Sequence, residues 1–130
     1  MKQIAKRIKR LLIANRAEIA VRVIRTCREM GITTVAVFSE PDRRALHVQL
    51  ADEAFPLDGV TAAESYLSQK KILEIARASK VDAIHPGYGF LSENPVFAES
   101  VVSAGMSFVG PPTEAMKLLG DKTEARQIAR

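Results

Sequence analysis

Short apolar runs alternate with longer amphipathic stretches along almost the whole chain. Residues 11–14, Leu-Leu-Ile-Ala, are continuously apolar, as expected of a strand covered on both faces of a parallel sheet. Asn15 and Arg16 then form a short turn. From residue 18 to 30, Ile19, Val23 and Cys27, with Ala20, Ile24 and Met30, recur at intervals of three and four, while Arg22, Arg25 and Glu29 take another side. This spacing predicts an amphipathic helix with its apolar side turned inward, stopped by Gly31. Residues 34–38 read as a second strand and residues 39–43 as a polar loop carrying Pro41. Strand, helix and strand within residues 10–38 make a βαβ unit, for which a right-handed crossover is expected.

The alternation continues downstream. Residues 53–57 form a weak strand whose Pro56 fits only at an end or on an edge. Ser68 is placed to cap a helix through Ser79, with Ile72, Leu73, Ile75 and Ala76 facing inward. Residues 81–85 read as a buried strand, and Asn94 and Pro95 as the cap and first residue of a helix to about Ala104. Residues 107–109 complete five strands, which predicts an α/β fold built on a doubly wound parallel sheet. Beyond it, Thr113 caps a short helix to Leu119, Gly120 breaks it, and a further helical segment starts near Thr123. That tail has no following strand to pack beneath, so the chain reads as part of something longer.

Composition narrows the possibilities. With 130 residues, 47% hydrophobic and 26% charged, the chain has the size and apolar content of one domain with a real core. Aromatic content of 5% without tryptophan argues against a stacking surface for single-stranded nucleic acid. One cysteine, Cys27, excludes an internal disulfide framework and suits a reducing cytoplasm. No apolar run approaches a membrane span, and the first ten residues lack the apolar core of a signal peptide, so a soluble, cytoplasmic protein is expected. The net charge of +4 is local: residues 1–17 carry six basic and no acidic side chains, while the remainder is slightly acidic. A solvated basic lead-in explains this better than a nucleic-acid footprint, and neither nucleic acid nor membrane is expected as a partner.

In such sheets ligands bind beyond the carboxyl ends of the strands. Three segments there carry unusual residues. The turn of Asn15, Arg16, Ala17 and Glu18 lacks the glycines of a dinucleotide fingerprint, which argues against a nicotinamide or flavin cofactor held in the usual way. Asn15 and Arg16 either bind an anion or serve locally, as a helix cap and the partner of a carboxylate. The segment 85–94, His-Pro-Gly-Tyr-Gly-Phe-Leu-Ser-Glu-Asn, flanks Tyr88 with two glycines; it is either a tight structural loop or a binding loop in which backbone approaches a ligand. His85 alone reads as a satisfied histidine at a strand end. Gly120, Asp121 and Lys122 read either as a charged helix start with Asp121 as its cap or as a glycine break after which Lys122 meets a phosphate as a point charge. With only His47 and His85, and Cys27 facing the core, no metal site is expected. No nucleophilic triad or catalytic carboxylate pair is defensible by spacing, so no catalytic residue is assigned.

At these places the chain resembles the N-terminal domain of biotin carboxylase, the ATP-dependent component of the biotin-dependent acyl-CoA and pyruvate carboxylases. The resemblance is carried by residues 11–32, 39–54, 82–94, 108–111 and 119–126, five stretches in the family's order that are spread from residue 11 to residue 126. It implies a Rossmann-like domain over residues 1–112 and, in residues 113–130, the truncated start of the linker and ATP-grasp region. It also implies a ligase that carboxylates biotin on a carrier protein or domain, using ATP, bicarbonate and magnesium or manganese, by way of carboxyphosphate. A carboxyltransferase component and a second copy of the carboxylase would be its other partners. By position, Lys122 corresponds to an ATP-phosphate lysine, Tyr88, Gly89 and Glu93 to a loop on the biotin and bicarbonate side, and Arg25 and Glu29 to a homodimer interface. One departure stands out: the family usually has glycine where this chain has Ala17, which suits the helix start provided that its φ is negative.

The family's lid, metal carboxylates and catalytic groups would follow Arg130, so the resemblance implies that these 130 residues alone are inactive. Another ATP-grasp ligase, such as a carbamoyl phosphate or glycinamide ribonucleotide synthetase, would share such a leading domain, but residues 15–22 and 85–94 resemble the biotin enzymes more closely. A stand-alone anion-binding or interaction module is the reading from a different class.

Overall fold

A computed structural model describes residues 8–110 of the chain. Residues 113–130, with Lys122 and the expected helices there, lie outside the described residues. The elements run β1 (Arg10–Ile13), α1 (Ala17–Glu29), β2 (Thr33–Phe38), α2 (Leu46–Leu50), β3 (Glu53–Pro56), α3 (Gln69–Ala78), β4 (Ala83–His85), α4 (Pro95–Ser103) and β5 (Ser107–Phe108). All five strands join one sheet in the order β3-β2-β1-β4-β5, and every neighbouring pair is parallel. The α/β, doubly wound reading is therefore correct. β3 is an edge strand and ends on Pro56, where a missing N–H breaks no ladder.

Strand parity separates two cores. Leu11 and Ile13 of β1 and Ala83 of β4 pack with Ala20, Ile24 and Cys27 of α1. Leu12 and Ile84, one residue out of phase, pack with Ile72 and Ala76 of α3 and Phe97 and Val101 of α4. Successive side chains of a strand point to opposite faces, so α1 covers one face of the sheet and α3 and α4 the other. Both faces are covered, which is why β1 reads as continuously apolar rather than alternating. Leu12, Ile84 and Phe97 are wholly buried, each contributing roughly 1.5–3 kcal/mol relative to an exposed position.

Helix ends follow local chemistry. Asn94 accepts a hydrogen bond from the Phe97 amide at 3.0 Å, and Pro95 opens α4. Ser68 caps α3 through the Lys71 amide at 3.4 Å. Glu18 and Arg28 sit in the first and last turns of α1, each favourably placed in the helix dipole, and Gly31 follows with φ +74°.

Four expectations need correction. Residues 39–43 are not simply a loop, because Glu40–Asp42 forms a 3-10 turn, and α2 was not anticipated at all. Both are too short to show a period; α2 is held by His47, fully buried, whose Nε2 donates to the Val37 carbonyl at 3.1 Å. Met30 does not face inward: it is the C-cap residue of α1, beyond the last inward turn, and 67% exposed. Ala17 has φ +57°, not a negative value. Arg16, rather than Asn15, occupies the N-cap position of α1 and makes no side-chain cap there.

Candidate functional site

Strand order reverses between β1 and β4: the chain leaves β1 toward β2 and β3, and leaves β4 toward β5. The crevice at the carboxyl ends of these two strands is where an open α/β sheet takes a ligand. Residues 14–17 follow β1 and residues 85–94 follow β4, so the first two of the three unusual segments meet there.

Asn15 joins them. It is 3% exposed, and its Nδ2 donates to the carbonyls of Pro86 at 2.9 Å and Tyr88 at 2.6 Å. Its Oδ1 accepts the Arg16 amide at 2.8 Å. Two carbonyls and one N–H leave a single sensible orientation for the amide group. Gly87 lies directly against it, with φ +68°, and a β-carbon there would stand 2.7 Å from Asn15 Nδ2.

The loop itself is anchored at its far end. Leu91 is 3% exposed in the core, and the Phe90 ring stacks on Tyr66 with centroids 5.2 Å apart. His85 accepts the Gly87 amide on Nδ1 at 3.1 Å, and burial pushes its pKa down, so it is a neutral acceptor serving its own loop. Tyr88 differs from its neighbours: its side chain is 77% exposed although the backbone around it is pinned. It borders an apolar groove of about 590 Å³ beside α1, lined also by Leu11, Ile19, Val23, Val109 and Arg22. Gly89 and Glu93 are exposed on the same loop. Arg25 and Glu29 are exposed one turn apart on α1.

Arg16 takes the local role. Its Nε and Nη2 grip both carboxylate oxygens of Asp42, with Nη2 to Oδ1 at 2.8 Å. Asp42 is 7% exposed and also accepts the Tyr66 hydroxyl at 2.7 Å and the Ser39 hydroxyl at 3.3 Å. Hydrogen bonding to Arg16 outweighs burial and holds the Asp42 carboxyl down at about 2, while burial and the Asp42 hydrogen bond push Tyr66 up to about 12. Nothing in the sequence pattern marks Asp42 or Tyr66. Asp42 ends the 3-10 turn after β2 and Tyr66 lies in the segment between β3 and α3, and the signal in the sequence is only that both segments leave carboxyl ends of strands.

What the described residues cannot do is equally clear. Among them no group of three His, Cys, Asp or Glu side chains gathers as a metal site. The turn after β1 offers phosphate no glycine backbone, and its arginine is engaged by Asp42. Nor is any described helix long and apolar enough to cross a membrane.

Comparison with known proteins agrees with this architecture. The family model for the biotin carboxylase N-terminal domain matches residues 7–116. The chain is 56% identical over 123 residues to the biotin-dependent acyl-coenzyme A carboxylase alpha3 subunit of Mycobacterium leprae, covering 95% of this chain and 21% of the relative. It is 55% identical over 123 residues to biotin carboxylase 1 of Bacillus subtilis, covering 95% of this chain and 27% of that protein. Among solved structures, Kluyveromyces lactis urea carboxylase superposes with a TM-score of 0.88 at 48% identity over 94% of this chain and 11% of that one. Rhizobium etli pyruvate carboxylase does so with a TM-score of 0.86 at 45% identity, over 95% and 13%. The chain thus spans about a quarter or less of these relatives. A family match across the whole described sheet, at such identity, leaves no ambiguity over kinship: the chain belongs to the biotin carboxylase N-terminal domain family.

Proposed function

We propose that the chain is the leading domain of an ATP-dependent biotin carboxylase and that its loop 85–94 forms one wall of the cleft in which carrier-bound biotin is carboxylated. The observation that carries this reading is Tyr88, an aromatic side chain 77% exposed on a backbone that is otherwise tightly held, at the sheet's switch point. An exposed ring on a pinned loop has no packing role inside the domain and is suited to a flat ring such as the ureido ring of biotin. Gly89 and Glu93 would face biotin and bicarbonate from the same loop.

ATP supplies the phosphoryl group that activates bicarbonate in this reading. Its phosphates and the accompanying magnesium or manganese would be held by Lys122 and by polypeptide outside these 130 residues, with residues 113–130 opening the ATP-grasp region. The biotin carrier, the carboxyltransferase component and a second copy of the carboxylase complete the set of partners. Arg25 and Glu29, exposed on one face of α1, are offered to that second copy. A cytoplasmic location goes with this assignment.

The test uses the full-length carboxylase carrying this domain. Tyr88→Ala should raise the KM for free biotin by about tenfold, the effect of one aromatic contact, and leave the KM for ATP nearly unchanged. An unchanged biotin KM would overturn the assignment of this loop.

A further inference from the structure

We propose that Asn15 is a positioning residue that sets where Tyr88 and Gly89 meet the substrate. The inference rests on the reading above, that loop 85–94 faces biotin. Tyr88 is 77% exposed, so packing does not aim it; its direction is decided by the backbone on which it stands. That backbone is held at the carbonyls on both sides of Gly87, those of Pro86 and Tyr88, by the same Asn15 nitrogen. Gly87 permits the grip, because its φ of +68° and its missing β-carbon let the loop close to within contact of the asparagine.

The chemistry is specific to asparagine. One nitrogen must donate twice while the other end of the same group accepts the Arg16 amide. Aspartate, of the same shape, would turn a carboxylate oxygen toward two carbonyl oxygens; alanine would leave the carbonyls without partners. Capping α1 does not explain the residue, since Arg16 holds the N-cap position. Asn15 instead ties the end of β1 to the loop after β4, across the switch point.

The experiment compares Asn15→Asp, Asn15→Ala and Gly87→Ala in the full-length carboxylase, assayed with free biotin, bicarbonate and ATP, with Tyr88→Ala as reference. Each of the three should raise the KM for biotin by about tenfold while the KM for ATP stays within about twofold. Adding Asn15→Ala to Tyr88→Ala should cost much less than the two effects summed, because both act through one ring. If Tyr88→Ala raises the biotin KM and the Asn15 and Gly87 variants do not, Asn15 does not position the loop although the loop faces biotin. If Tyr88→Ala itself has no effect, the underlying assignment fails first. A parallel rise in both KM values with an early thermal transition would make Asn15 a residue of the fold alone and overturn the proposal. Gly87→Ala perturbs the same grip without placing a charge in the interior, so the conclusion does not hang on how well Asn15→Asp folds.

Discussion

Ala17 opens α1 with φ +57°, a conformation in which a side chain crowds the following carbonyl. Glycine, which has no β-carbon, adopts it freely. Ala17→Gly should therefore stabilise the domain by about 1 kcal/mol, read as a shifted urea midpoint; alanine is exposed there and loses no packing. Asp42 is the opposite case, a buried carboxylate with Arg16, Tyr66 and Ser39 all directed at it. Asp42→Ala leaves the Tyr66 and Ser39 hydroxyls without the acceptor they donate to, although Tyr66 still accepts the Ser39 amide, and should cost about 3 kcal/mol by the same measurement. Neither feature was legible in the sequence. The backbone at residue 17 is set by how β1 must turn into α1, and Asp42 gains its partners from segments 26 and 24 residues away.

At the scale of elements, what could be read was periodic or capped by its own neighbours. α4 was found because Asn94 and Pro95 announce its start locally, and Asn94→Ala should cost about 1 kcal/mol, visible as a lower melting temperature. α2 and the 3-10 turn escaped because five and three residues cannot display a helical period, and their stability comes from His47 against β2. Loop 85–94 was recognised by its two glycines, but not how differently they act. Gly89 has φ +70° with open space around it, whereas Gly87 also abuts Asn15. Gly87→Ala should thus destabilise the domain more than Gly89→Ala, by about 1 kcal/mol or more in parallel melts, since only the former adds a clash to the backbone strain.

Across the whole molecule, the rim of the sheet is closed by a circuit of contacts. Arg16 grips Asp42, Asp42 receives Tyr66, Tyr66 stacks on Phe90, and the loop that bears Phe90 returns to Asn15. Stability depends on pH in two stages, the first from two buried histidines and the second from Asp42 of this circuit. His47 and His85 both titrate lower folded than their ordinary 6.5 because they are buried, so the unfolded chain takes up protons first and stability declines as pH falls below about 6.5. Asp42, held at about 2 against an ordinary 3.8, adds a further loss of about 2 kcal/mol as pH falls from roughly 4 to 2. Urea midpoints measured from pH 7.5 down to 3 should show the first decline, and His47→Gln should remove part of it. The strand order, the two cores and the family were within reach of sequence in different degrees. Hydrophobic period is a local property, so the five strands, most of the helices, the parallel class of the sheet and the motifs that carry the kinship are all readable along the chain. The partners of Asn15, Arg16 and Asp42 were decided only by the tertiary structure. A hydrogen bond between residues 15 and 88 leaves no pattern along the chain, and it exists only because β1 and β4 lie side by side.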